Sequence, residues 1–238
     1  MNAPDAALPA RSPVGPPDGL LQRLRAACLP EWHAYSRHAF VLRLADGTLP
    51  QESFRHYLIQ DYLFLVQFAR AYALAAYKAD DVEDMRQATR SLAKIIDAET
   101  SLHVRFCARW GIPERDILAA PEATATMAYT RYVLERGAAG DILDLLVALA
   151  PCVVGYAEIA LERMADPATR VEGNPYREWL EMYSGPDYVA VATDAATALD
   201  RHFARRGGPG RMPALEATFR GATRLEAQFW QMGLDRAT

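Results

Sequence analysis

Over residues 51–79 the apolar side chains return at three- and four-residue steps: Phe54, Tyr57, Leu58, Tyr62, Leu65, Phe68 and Tyr72. That spacing places them on one face of an amphipathic α-helix. Helical periodicity, punctuated by Pro and Gly, recurs along most of the chain. It predicts helices over about 82–110, ended by Gly111 and Pro113, and over 123–136, stopped at Gly137. Further helices are expected over 140–164, with Asp141 in the first turn, over 175–183, closed by Ser184-Gly185-Pro186, and over 187–206. A Gly-Gly-Pro-Gly break at 207–210 precedes the last, 212–234, and a stretch over 20–45 is expected to break near Pro30. No β-alternation, repeat or linker interrupts the series. Helix after helix with short joints predicts an all-α bundle. Residues 1–17, rich in Pro and Ala, are expected to form a flexible tail that touches little, and 18–238 a single helical domain.

Composition narrows the function classes. Of 238 residues, 51% are hydrophobic and 24% charged, which excludes disorder for the bulk of the chain and suffices for a large core. Thirty acids against 26 bases leave a formal charge of −4, so nothing electrostatic argues for nucleic acid or an anionic membrane. The basic, DNA-reading face of a helix-turn-helix is missing as well. Cys28, Cys107 and Cys152 are too few and too scattered for a disulfide framework or a zinc site, and fit a reducing compartment. No signal-peptide pattern and no run of about 18 apolar residues is present, so the expectation is a cytoplasmic protein without a membrane span. A glycine-rich phosphate cradle is also absent, and no motif calls for a cofactor.

Three polar residues stand where apolar ones belong. Asp61 lies four residues after Tyr57 and four before Leu65, inside the apolar stripe. In the last helix the stripe reads Leu215, Phe219, Ala222, Glu226, Phe229, Gly233, with Glu226 at its middle. In the 140–164 helix it reads Ile142, Leu145, Leu149, Cys152, Tyr156, Ile159, and Pro151 bends the chain just before the thiol. A buried carboxylate must pair, neutralise or do chemistry. Two such acids and a thiol on three core-facing stripes point to one interior pocket. The alternative is purely structural: acids held by Arg, Tyr or a helix end, and a cysteine packed as a small hydrophobe. Tyr129, Tyr156 and Tyr183 fall on or near core-facing positions. With an acid pair they suit a flat, nitrogen-rich ring, stacked by aromatic faces and hydrogen-bonded by carboxylates and hydroxyls.

The segment FRHYLIQDYLFLVQFARAYALAAYKA closely resembles the signature helix of the TenA (thiaminase II) family. SRHAFVLRLADGTLPQESF resembles that family's HPF…DGTLP…F opening, and AETSLHVRF, APCVVGYAEIA, NPYREWLEMYSGPDY and LEAQFWQM follow in the family's order and spacing, over roughly residues 30–234. The resemblance implies a haem-oxygenase-like all-α bundle, a homotetramer, and no cofactor or metal. It implies an aminopyrimidine substrate, 4-amino-5-aminomethyl-2-methylpyrimidine, hydrolysed to the 5-hydroxymethyl pyrimidine that feeds thiamine synthesis, with thiamine itself a slower substrate. Carried over, Cys152 is the nucleophile of the cysteine-containing branch and Glu226 the acid/base at a ring nitrogen. Asp61 holds the exocyclic amine and neighbouring ring nitrogen. Tyr129, Tyr156 and Tyr183 line the pocket and Phe229 supplies an aromatic wall. Two departures stand out. Phe64 occupies a position where the family often carries a tyrosine, removing a hydrogen bond worth about 1–3 kcal/mol. His38-Ala39-Phe40 replaces HPF, a change expected to touch only a helix start.

Glu99 and His103, four apart on a helix, can share a metal, and di-iron oxygenases exist on this kind of bundle. A di-iron site needs more ligands than this pair, and the TenA family carries the same element without a metal. Their simpler reading is a helix-face hydrogen bond. A binding or regulatory protein with a related ring in its pocket is a second alternative. The basic run at 201–206 is expected to serve the dipole of its own helix, and Trp230 and Met232 to be core or subunit contacts.

Overall fold

The computed structural model describes residues 11–238, apart from the side chains of Ala98, Glu99 and Leu102. The 20–45 stretch forms three short helices: α1 (Leu20–Ala27), α2 (Leu29–Ser36) and α3 (Ala39–Asp46). Its first break is at Cys28, and Pro30 sits in the first turn of α2, where a missing N–H costs nothing. The second is at Arg37 and His38. His38 caps α3 through Nδ1, which accepts from the Phe40 N–H at 3.2 Å. Gly47, at φ 79°, closes α3 in the left-handed conformation.

The amphipathic stretch over 51–79 becomes α4 (Gln51–Lys78). The segment expected as one helix over 82–110 is α5 (Val82–Lys94), a π-helical turn (Ile95–Glu99) and α6 (Thr100–Arg109). A short α7 (Glu114–Leu118) follows, not expected from the sequence. Then come α8 (Thr124–Ala139), which runs through Gly137, and α9 (Ile142–Ala165). The chain ends with α10 (Arg177–Ser184), α11 (Pro186–Arg206) and α12 (Met212–Asp235). All regular structure among the described residues is helical.

The bundle is built around α9, which packs against α8, α10, α11 and α12. Asp141 and Asp144 start this helix with a reciprocal capping box. Its length and apolarity would suit a membrane span, more than the sequence reading allowed, but 89% of its most apolar window is buried inside the bundle. Helix α4 packs against α5, α6, α8 and α12, and α12 closes the far side against α2 and α9. Three of the longest helices thus meet along their apolar stripes.

Two expectations are corrected. Of the 1–17 tail, residues 1–10 lie outside the described residues, but the next few are docked. Val14 is fully buried in the core, and the Ser12 N–H donates to Gln22 Oε1 at 2.9 Å. An apolar side chain six residues ahead of α1 finds a seat in the core and ties this stretch down. The basic run at 201–206 does more than serve its own helix. Arg201 and Arg205 grip the buried Asp84 at 2.9 and 2.6 Å, Arg205 also reaches Asp81 at 3.0 Å, and Arg206 pairs with Asp80. Cations ending α11 meet the acids that begin α5, where the Asp81 side chain accepts from the Asp84 N–H. Trp230 and Met232 are core residues.

Candidate active site

Helix α12 carries Glu226 inward, 1% exposed. Its Oε1 accepts the Tyr129 hydroxyl from α8 at 2.8 Å, and the Cys152 thiol on α9 hydrogen-bonds the same carboxyl. Burial pushes the Glu226 pKa up from the usual 4.5 to about 8. The Tyr129 bond opposes that rise, the negative charge of Asp61 adds to it, and the thiol bond opposes it. Tyr129, buried and facing Glu226, is held well above the usual phenol range and keeps its proton. Acid, thiol and phenol therefore form one hydrogen-bonded group contributed by three helices.

Asp61 on α4 is buried across from Glu226. Its Oδ2 accepts the Tyr57 hydroxyl, one turn back on the same helix, at 2.8 Å. The same oxygen lies 2.7 Å from His103 Nε2 on α6. Trp179 of α10 donates its indole N–H to the Tyr57 oxygen at 3.2 Å, and the Tyr156 hydroxyl lies 3.5 Å from it. Burial first, then Asp61, holds Tyr57 well above its ordinary range, so it remains a donor.

Rings fill the space between the acids. Phe64 packs on Tyr129 with centroids 4.9 Å apart and on Phe229 at 5.7 Å. Phe229 meets the Tyr57 ring edge-on at 6.1 Å. Tyr156 packs on Tyr183 at 4.9 Å and on Trp230 at 5.2 Å. The residues picked from the sequence, Cys152, Glu226, Asp61, Phe64, Tyr129, Tyr156, Tyr183 and Phe229, are thus all buried and linked by contacts into one neighbourhood.

Sequence reasoning missed several members. Tyr57 was visible only as a stripe residue, although its place four before Asp61 is a readable signal. His103 stands four residues after Glu99, whose side chain lies outside the described residues, and its Nε2 faces Asp61 from another helix. Tyr35 on α2 donates to the Pro151 carbonyl at 3.3 Å, one residue before the thiol. It fits there because residue 155 is glycine: a Cβ at Gly155 would come within 2.4 Å of a Tyr35 ring carbon. Among the described residues no three His, Cys, Asp or Glu side chains gather as metal ligands. A cleft of about 640 Å³ lies beside the cluster rather than over the acids. Its wall includes Phe68, which stacks on Phe64, Val153, next to Cys152, and Tyr188, which packs on Tyr183.

An all-α bundle with a carboxyl–thiol–phenol group on one side of an aromatic interior, and a carboxylate held by His and Tyr on the other, defines the class of this protein. Residues 25–236 match the TENA/THI-4/PQQC family, and the chain belongs to that family. The chain is similar in structure to a TenA family transcription regulator from Silicibacter sp. TM1040, with a TM-score of 0.87 and 43% identity over 93% of this chain and 98% of that one. In sequence it is 38% identical to an uncharacterized protein of Haemophilus influenzae, over 92% of this chain and all of that protein. It is 32% identical to an aminopyrimidine aminohydrolase of Halalkalibacterium halodurans, over 85% of this chain and 90% of that enzyme.

Proposed function

We propose that this protein is an aminopyrimidine aminohydrolase, a hydrolase acting on a C–N bond. Its substrate is 4-amino-5-aminomethyl-2-methylpyrimidine and its product the 5-hydroxymethyl pyrimidine used for thiamine salvage, with thiamine cleaved more slowly. The observation that carries this reading is the Cys152–Glu226–Tyr129 group: a nucleophile hydrogen-bonded to an acid that burial keeps protonated near neutral pH. The similarity to an aminopyrimidine aminohydrolase over nine-tenths of that enzyme supports it.

The chemistry follows from that pairing. The Cys152 sulfur bonds to an electron-poor ring carbon as its S–H bond breaks, Glu226 passing its own proton to the adjacent ring nitrogen and taking up the thiol proton in its place. The C–N bond of the aminomethyl group then breaks, and the amine leaves with the electron pair and takes up a proton. A water oxygen bonds to the same exocyclic carbon and gives up a proton. The sulfur is expelled from the ring with its electron pair and takes up a proton as the ring nitrogen loses its own, which restores the thiol and the acid. The sum is substrate plus water to hydroxymethyl pyrimidine plus ammonia. Asp61 orients the ring through its amine edge, Phe229 and Phe64 pack its faces, and Tyr156 and Tyr183 complete the polar rim. Phe64, in place of the tyrosine often found there, leaves one ring substituent without a donor and tunes preference among related pyrimidines. We also propose that the chains assemble as a homotetramer.

The test is ammonia release and product identity with 4-amino-5-aminomethyl-2-methylpyrimidine, beside thiamine and N-formylated analogues. Cys152→Ser should abolish turnover and retain pyrimidine binding. Full activity in that variant removes the nucleophile assignment. Binding without turnover by the wild type favours the regulatory reading instead.

A further inference from the structure

His103 takes no part in the proposed chemical steps, yet it is fully buried and 2.7 Å from Asp61. It comes from 42 residues away in the chain. Tyr57 O–H approaches the same oxygen, Oδ2, at 2.8 Å. A carboxylate only accepts, so both groups donate, and His103 carries a proton on Nε2. Two donors on Oδ2 fix the plane of the carboxylate and leave Oδ1 for a ligand.

The backbone supplies the aim. Ile95 and His103 are both buried, eight positions apart. On an unbroken α-helix, eight residues leave two side chains about 80° apart around the axis. Between them lies the π-helical turn Ile95–Glu99. Such a turn takes in about one extra residue and brings His103 back toward the face of Ile95. One inserted residue thus turns the imidazole inward, onto Asp61.

We propose that His103 is a positioning residue for substrate: it holds the Asp61 carboxylate so that Oδ1 meets the exocyclic amine and neighbouring ring nitrogen of a 4-aminopyrimidine. This assignment rests on the aminopyrimidine reading. His103 acts through Asp61 and touches no reacting atom, so it governs binding more than the chemical step.

The experiment compares His103→Gln, His103→Asn and His103→Leu. The Gln amide nitrogen reaches about where Nε2 stands, whereas the Asn amide stops short. Steady-state kinetics use 4-amino-5-aminomethyl-2-methylpyrimidine, calorimetry measures Kd for the hydroxymethyl product, and thermal melts follow folding. Loss of a charge-assisted hydrogen bond should raise KM and Kd about 10- to 100-fold in His103→Asn and His103→Leu. In both, kcat should stay within about threefold, and His103→Gln should restore most of the affinity. Asn behaving like Gln, Leu binding like wild type, or a loss confined to kcat each overturns the assignment. Should His103→Leu fail to fold, the contrast between the two amides still decides. A wild type that binds no aminopyrimidine overturns the functional reading and this inference together; normal wild-type binding with an indifferent His103 overturns the inference alone.

Discussion

Glu226 ties the chemistry of the site to its titration. Protonated up to about pH 8, it can begin the reaction as an acid, so kcat/KM should fall as pH rises through about 8. Tyr129→Phe removes a donor that favours the ionised form, and a pH–rate profile should then show that limb displaced upward. The same group links pH to stability. Native Glu226 keeps its proton to about pH 8, whereas the unfolded chain loses it near 4.5. Its contribution is therefore full below about 4.5 and lost as pH rises to about 8, on the order of a few kcal/mol. Glu226→Gln should flatten that decline, read as urea midpoints at pH 5 and 8. Gly155→Ala should drive a methyl into the Tyr35 ring and cost about 1–3 kcal/mol, checked by the same unfolding curves. The acids and the thiol were legible from the sequence because a polar residue on an apolar stripe is conspicuous. His103, Trp179 and Tyr35 were not, because each acts through a partner on another helix, and no spacing within its own segment encodes that partner.

At the level of elements, long helices declared themselves and their interruptions did not. The apolar periods of α4, α9 and α12 survive intact from sequence to structure. The 20–45 stretch broke twice rather than once, since the capping preference of His38 is local and weak. The π-helical turn before α6 carries no Pro or Gly to mark it, and α7 is too short to show a period. Asp84, 2% exposed in its side chain, is the joint between α5 and α11. Asp84→Ala should leave Arg201 and Arg205 without their buried partner. Because both guanidinium groups reach solvent, the loss should be about 2 kcal/mol, well under that of a fully buried pair, and a thermal melt should show it.

Across the whole molecule, large apolar side chains stand out around the α4–α5 turn: Tyr77 is 85%, Val82 59% and Met85 45% exposed. A homotetramer gives such residues something to cover. Light scattering should return four times the chain mass of 26.4 kDa, and Tyr77→Ser with Met85→Ser should lower that mass if this corner is a subunit contact. The placement of α9 has a consequence for how the protein is made. It is the most membrane-like stretch among the described residues, and three of the helices that wrap it, α10, α11 and α12, come later in the chain. About 70 residues separate the end of α9 from the end of α12, which at roughly 5–20 residues per second is several seconds of synthesis. Through that interval the nascent chain holds a long greasy helix with most of its sheath still to be made. Chaperones at the ribosome, or the machinery that sorts hydrophobic segments to membranes, meet it before its own C-terminus does.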